Sequence, residues 1–210
     1  MEILTNPLLQ DILTRLRDRN TRPPEFRRLL ETAGVLMAYE IARYLPTEKV
    51  AVETPLGAKA EGLRVLDEKV TVVAVLRAAL PFAYGVLRVL PNARLGVVAA
   101  RRVEEERADI KGFEMEVEVP YVSVPGDSGI IVLADPMLAT GSTLKKVIET
   151  LKGSYETLIV VTVISTKLGI ERVFEADPEA LVLTLAVDPE LNTRAYIVPG
   201  LGDAGDRAFG

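Results

Sequence analysis

The hydrophobic positions of this chain follow two rhythms. Residues 70–76, 130–134 and 157–164 are apolar runs almost free of charge, a pattern that suits parallel strands covered on both faces. Residues 94–100 and 180–186 read as further strands. Between the runs, apolar residues recur at helical spacing. Asn6-Pro7 supplies a cap and a first helical position, Leu8, Leu9, Ile12, Leu13 and Leu16 follow on one face, and the helix is expected to end near Asn20. Pro23-Pro24 opens a longer helix carrying Phe26, Leu29, Leu30, Ala33, Met37, Ile41 and Leu45. Residues 82–90, 143–151 and 168–174 complete the helical set. Alternation marks two other places. Residues 49–54 and 61–66, separated by Pro55-Leu56-Gly57, predict a small hairpin, and residues 113–124 predict a half-exposed hairpin arm able to act as a mobile flap. Strands alternating with helices predict an α/β fold built on a parallel sheet, and no repeat or long linker divides residues 1–210, so one domain is expected.

The run at 130–134 delivers Asp135 into a loop of mostly small residues, Pro136, Met137, Leu138, Ala139, Thr140, Gly141, Ser142 and Thr143, and then into a helix. Short side chains let an anion reach the main chain, where unpaired N–H groups at the helix start can bind it, and Thr140, Ser142 and Thr143 add hydroxyl donors. Gly141 is followed by Ser142-Thr143-Leu144 rather than Lys, which argues against a triphosphate-binding Walker loop. A carboxylate at Asp135 would repel phosphate unless it meets sugar hydroxyls or a hydrated cation, so the loop points to a ligand carrying both phosphate and ribose. The same residues also fit an ordinary strand-to-helix turn capped by Thr140 or Ser142. Arg77 ends another buried strand and can face the same crevice, or can simply bond a helix end at the surface. Arg101 or Arg102, in the mixed-charge stretch at the base of the predicted flap, is a further candidate for phosphate.

Composition narrows the chemistry. With 49% hydrophobic residues the chain can bury a large core, and its net charge of −5 argues against a general nucleic-acid or membrane-surface binder. It holds no Cys and no His, which excludes disulfides, thiolate nucleophiles, Ser-His-Asp triads and the usual zinc ligand sets. Any metal must be held by oxygen. The N-terminus lacks a basic segment followed by an apolar one, and no run approaches a membrane span, so a cytoplasmic protein is expected.

Near the C-terminus, Gly200, Gly202 and Gly205 spell a literal G-x-G-x-x-G. A dinucleotide site needs a following helix and a second strand, and only Asp206 to Gly210 remain. The glycines instead predict a close-fitting loop whose amides and carbonyls can read the edge of a planar ligand, with Asp203 adding a charge. A flexible tail is the other reading, less suited to the flanking Tyr196, Ile197, Val198 and Phe209.

With these stretches in view the chain resembles the uracil phosphoribosyltransferases, a family of type I phosphoribosyltransferases. Leu16-Arg17-Asp18-Arg19-Asn20-Thr21, Thr54-Pro55-Leu56-Gly57, Leu76-Arg77-Ala78, residues 135–141 and residues 199–206 stand in the family's order. Pro136, where the wider class has a second acid, matches the uracil branch. The resemblance implies an open, mainly parallel sheet flanked by helices, a β-hairpin flap and a small hood made from the chain termini. It implies transfer of phosphoribose from phosphoribosyl diphosphate (PRPP) to N1 of uracil, giving UMP and diphosphate with Mg2+ carried by PRPP and water. By similarity Arg77 and Arg102 meet the diphosphate side, Asp135 the ribose hydroxyls, and Pro136 through Thr143 the 5′-phosphate. Ile197, Gly202, Asp203 and Ala204 match the uracil-reading positions, with Asp203 also near PRPP. The resemblance further implies a homodimer or homotetramer and possible GTP or CTP effectors. A phosphoribosyltransferase for another nucleobase and a non-catalytic nucleotide-sensing regulator are the alternatives. Two departures from the family pattern bear on geometry: Ala79 stands where glycine is usual, and Ser142-Thr143 replaces the commoner Gly-Ser, which a φ below zero at residue 142 would tolerate.

Overall fold

The structure, a computed structural model, describes residues 1–102 and 115–210, with the side chain of Arg102 outside the description. In chain order the elements begin with β1 (Glu2–Ile3), α1 (Pro7–Arg17), α2 (Pro23–Ile41), β2 (Thr47–Glu53), β3 (Lys59–Val65), β4 (Val70–Leu76), α3 (Ala79–Val89), β5 (Arg94–Arg102) and β6 (Val117–Ser123). They continue with β7 (Ser128–Ala134), β8 (Met137–Leu138), α4 (Ser142–Leu151), β9 (Tyr155–Thr166), α5 (Lys167–Ala176), β10 (Leu181–Asp188), β11 (Glu190–Leu191), β12 (Ile197–Val198) and α6 (Ala204–Phe209).

Among the described residues the main sheet has the order β1-β10-β9-β7-β4-β5-β6, with β8 added alongside β9. All neighbours are parallel except β6, which runs antiparallel to β5. Side chains alternate across the sheet and feed two cores. Val70, Val72 and Ala74 of β4 and Val132 and Ala134 of β7 join α1, α2 and α3 on one face. Val73, Val75, Ile131 and Leu133 join α4 and α5 on the other. Burial on both faces is why these strands are continuous apolar runs.

Several expectations shift at their edges. The first helix stops at Arg17, because Asp18 turns to an extended conformation and its carboxylate accepts from the Asn20 amide at 2.8 Å. The second ends at Ile41 and tightens into a 3₁₀ turn before Leu45. Helix α3 begins at Ala79, ahead of Phe82, since a proline is tolerated in the first turn where its missing N–H has no partner to lose. Strand β9 extends at both ends beyond residues 157–164. The predicted hairpin of β2 and β3 forms and stands off the sheet, exposed along most of its length. The arm expected over residues 113–124 is seen as β6, paired with β5; residues 103–114, which include most of the mixed-charge stretch, lie outside the described residues.

A hood is built from both ends of the chain. Arg207 of α6 donates to the carbonyls of Leu201 at 2.7 Å, of Asp18 at 2.6 Å and of Leu16, and its guanidinium lies 4.3 Å from the Phe26 ring centre. Burial pulls its pKa below the ordinary arginine value, with Asp18 opposing that shift. Arg17 closes the hood on the sheet through a two-pronged bond to Asp188, 2.7 and 2.6 Å, at the carboxyl end of β10. Gly200 and Gly202 thus lie between β12, outside the main sheet, and the short α6, whose second residue is Gly205.

Candidate active site

Parallel strands end together at one edge, and the loops leaving β4 and β7 meet there. The cavity at this edge is walled by Ala78 after β4, by Asp135 and the loop after β7, and by Tyr196, Asp203, Ala204 and Gly205 of the hood. Segments far apart in the sequence therefore face one space.

The loop after β7 is not free to wander. Asp135 receives the Met137 amide at 3.2 Å, which turns the chain back so that Met137 and Leu138 pair with Ile164 and Ser165 of β9. The Pro136 carbonyl accepts from the amides of Val163 and Ile164 at 3.0 and 3.1 Å. Gly141 then adopts φ 82° and ψ −9°, a left-handed conformation costly for other residues, and caps α4. A Cβ there would lie 2.8 Å from the Gly169 carbonyl oxygen. Of the loop residues named from the sequence, Met137, Leu138, Ala139, Thr140, Gly141 and Thr143 wall the cavity together with Asp135. Pro136 is buried, and the Ser142 hydroxyl turns away to accept from Arg172 at 2.9 Å and from the Met115 amide at 3.3 Å.

Arg77 directly follows β4 with an exposed side chain, next to Ala78 on the cavity wall. Among the described residues its guanidinium has no hydrogen-bonding partner. The peptide joining Leu76 to Arg77 is cis. Ala79 is helical and has no positive φ, so this backbone accepts its Cβ without strain. Arg101 is committed to Glu118, with Nε and Nη2 donating at 2.8 and 2.6 Å. The side chain of Arg102 lies outside the described residues.

In the hood, Asp203 caps α6 by accepting the Asp206 amide at 2.8 Å, and this holds its carboxylate at the cavity. Ala204 is buried beside it. Gly202 has φ 79° and the Ile197 side chain is packed in the core, and neither of these two candidates for reading the base is among the residues that wall the cavity. Gly200 is pinned at both ends of its peptide functions: its amide donates to Asp188 at 2.9 Å, and its carbonyl accepts from Arg17 at 2.7 Å.

Several contributors escaped the sequence reading. Tyr196, noted only as flanking, walls the cavity. Asp188 and Arg17 hold the glycine loop; Arg17 belonged to a recognised stretch, but nothing in spacing paired it with Asp188. Thr166 donates to the Ala139 carbonyl at 2.6 Å, and Arg172 donates to the Thr140 carbonyl at 2.8 Å. A lone arginine on an amphipathic helix gives no signal of this in the sequence.

A parallel sheet with an acid and a small-residue loop after its central strand, facing a hood, is the type I phosphoribosyltransferase architecture. The fold alone is shared with adenine phosphoribosyltransferase from Trypanosoma brucei, at a TM-score of 0.51 and 13% identity, covering 88% of this chain and 82% of that one. Within this class the chain belongs to the uracil phosphoribosyltransferase family, whose model matches residues 3–210. It is 49% identical to uracil phosphoribosyltransferase of Pyrobaculum islandicum over 100% of this chain and 98% of the relative. It is also similar to a solved Aquifex aeolicus protein at a TM-score of 0.89 and 33% identity, covering 99% of this chain and 97% of that one.

Proposed function

We propose that the chain transfers phosphoribose from PRPP to N1 of uracil, releasing diphosphate and forming UMP. The observation that carries this reading is the convergence of the Asp135 loop and the Asp203 loop on one cavity, so that a sugar phosphate and a base can be held side by side. The loop over residues 139–143 receives the 5′-phosphate on its amides, with helix α4 directing its positive end toward it. Asp135 receives the ribose hydroxyls. Arg77 and Arg102 meet the diphosphate. Gly202, Asp203, Ala204 and the Ile197 main chain read uracil, whose N3–H donor and carbonyl acceptors match a mixed set of amides and carbonyls. Cytosine would reverse two of these groups and leave buried polar atoms unpaired, which supports discrimination.

In the reaction the C1′–O bond to diphosphate breaks with its electron pair leaving on oxygen, the N1–C1′ bond forms, and the N1 proton departs. No His or Cys is available, so rate acceleration rests on orientation and charge. Among the described residues no group of three or more carboxylates comes together into a cage for a metal, and Asp135 and Asp203 alone offer carboxylates at the cavity wall. This donor set fits Mg2+ brought in on PRPP oxygens and water, where Asp135 and Asp203 would meet its hydration shell. When bound, the ion supplies neutralisation of charge on the departing diphosphate. The proposal extends to a cytoplasmic homodimer or homotetramer, for which the exposed Leu56 and Leu63 of the β2–β3 arm offer apolar contact surface, and to response to GTP or CTP. Among the described residues no helix is long and apolar enough to cross a membrane.

The test is turnover of PRPP and Mg2+ with a nucleobase panel, repeated with GTP and CTP. Uracil should give UMP and diphosphate, and Asp135→Asn should weaken PRPP use; no turnover with uracil, or an unaltered Asp135→Asn enzyme, contradicts the respective assignment. Sizing the protein in solution tests the assembly.

A further inference from the structure

We infer that Arg172, on α5 and outside the cavity wall, is a positioning residue that aims the amides of the phosphate loop. The inference rests on the proposal that this loop takes the 5′-phosphate. A trans peptide points its N–H opposite to its C=O, and the peptides of this loop are trans. Thr166 draws the Ala139 carbonyl toward the α5 side at 2.6 Å, so the amide of Thr140 points the other way. Arg172 draws the Thr140 carbonyl to the same side at 2.8 Å, so the amide of Gly141 also turns away from α5. Ala139, Thr140 and Gly141 all wall the cavity, whereas no residue of α5 does. Holding two carbonyls from behind therefore presents two donors in front.

The same guanidinium nitrogen also donates to Ser142 Oγ at 2.9 Å, fixing the first residue of α4. There is no slack beneath the loop. A Cβ on Gly169 would lie 2.7 Å from the carbonyl oxygens of both Leu138 and Ala139, and one on Gly141 would lie 2.9 Å from Arg172 Cβ. Arg172 is 8% exposed, Thr140 2% and Ser142 8%, so these bonds are shielded from competing water. A buried positive charge behind the loop also favours an anion in front of it, although Arg172 does not reach the cavity itself. Lysine keeps the charge but lacks the planar fork, so Arg172→Lys separates orientation from charge.

The experiment compares UMP with uridine, which differ only in the 5′-phosphate. Calorimetric affinities are measured for wild type, Arg172→Lys and Arg172→Met, with circular dichroism to confirm folding. Wild type should prefer UMP strongly; Arg172→Lys should shrink the UMP-to-uridine affinity ratio by about tenfold and Arg172→Met by more, with uridine affinity unchanged. A large wild-type ratio that survives in both variants overturns the role of Arg172. Equal losses for UMP and uridine overturn it too, since they would mark a merely structural side chain. A wild-type ratio near one would instead remove the phosphate from this loop, and the inference with it. Arg172→Lys keeps the comparison decisive should Arg172→Met fail to fold.

Discussion

Alanine at Gly141 places a single methyl group where the phosphate loop meets α5. The residue has φ 82° and ψ −9°, and the left-handed region costs an L-residue about 1–2 kcal/mol. The new Cβ would also lie 2.8 Å from the Gly169 carbonyl oxygen and 2.9 Å from both Gly169 Cα and Arg172 Cβ, closer than such atoms normally approach. Forcing extra bulk into a packed site costs about 1–3 kcal/mol. The two contributions sum to roughly 2–5 kcal/mol if the loop keeps its place. Moving the loop off α5 relieves the clash but gives up the bonds from Thr166 and Arg172 to the Ala139 and Thr140 carbonyls. The damage must therefore appear in stability, in PRPP binding, or in both. Urea unfolding with and without PRPP, together with KM for PRPP and for uracil, reads both routes. We expect a lower unfolding midpoint or a raised KM for PRPP, with KM for uracil less affected. A Gly141→Ala protein matching wild type in midpoint and in KM for PRPP would refute this account of the loop.

Two further changes probe the hood and the sheet. Asp188→Asn removes the charged partner of Arg17, a residue whose side chain is only 24% exposed, and loosens both anchors of Gly200. Breaking such a buried pair should cost about 3 kcal/mol in urea unfolding and raise KM for uracil more than KM for PRPP; equal KM values in mutant and wild type would separate the pair from base reading. Burial, and then the hydrogen bond to Asp177, raise the Tyr155 pKa above its ordinary value of 10.0. Because the folded protein favours the neutral phenol, this stabilisation is complete below pH 10 and is lost as pH rises toward the folded value. Tyr155→Phe should therefore lose less Tm than wild type above that pH, and parallel Tm profiles would contradict the linkage.

The fold was legible where burial on both faces wrote itself into the sequence. Strands β4, β7 and the centre of β9 are parallel and covered by helices, so hardly a polar residue interrupts them. Helix α1 was equally plain, since Asn6 accepts the Leu8 amide at 2.9 Å and Pro7 opens the first turn. The two-residue strands β1, β8, β11 and β12 left no trace, because a pair of residues carries no period and their pairing is set by distant partners. Pro81 misplaced the start of α3, as proline is compatible with both a loop and a first helical turn. Of the site, the loop after Asp135 and the glycine loop were visible as runs of small residues beside an acid, a local pattern that an ordinary capped turn or a flexible tail would share. Their supports were not. Arg172 and Thr166 act on backbone carbonyls, Arg17 and Asp188 pair across most of the chain, and none of these contacts follows from local spacing.

The central claim is that two loops divide the labour, one holding the 5′-phosphate and the other the base. A crystal structure of the protein with UMP tests this most directly. The phosphate should rest on the amides of residues 140–143 with the ribose against Asp135, and the uracil edge should meet the main chain at Gly202 and Ala204. A phosphate bound away from the Thr140 and Gly141 amides, or a base turned from the glycine loop, would contradict the account.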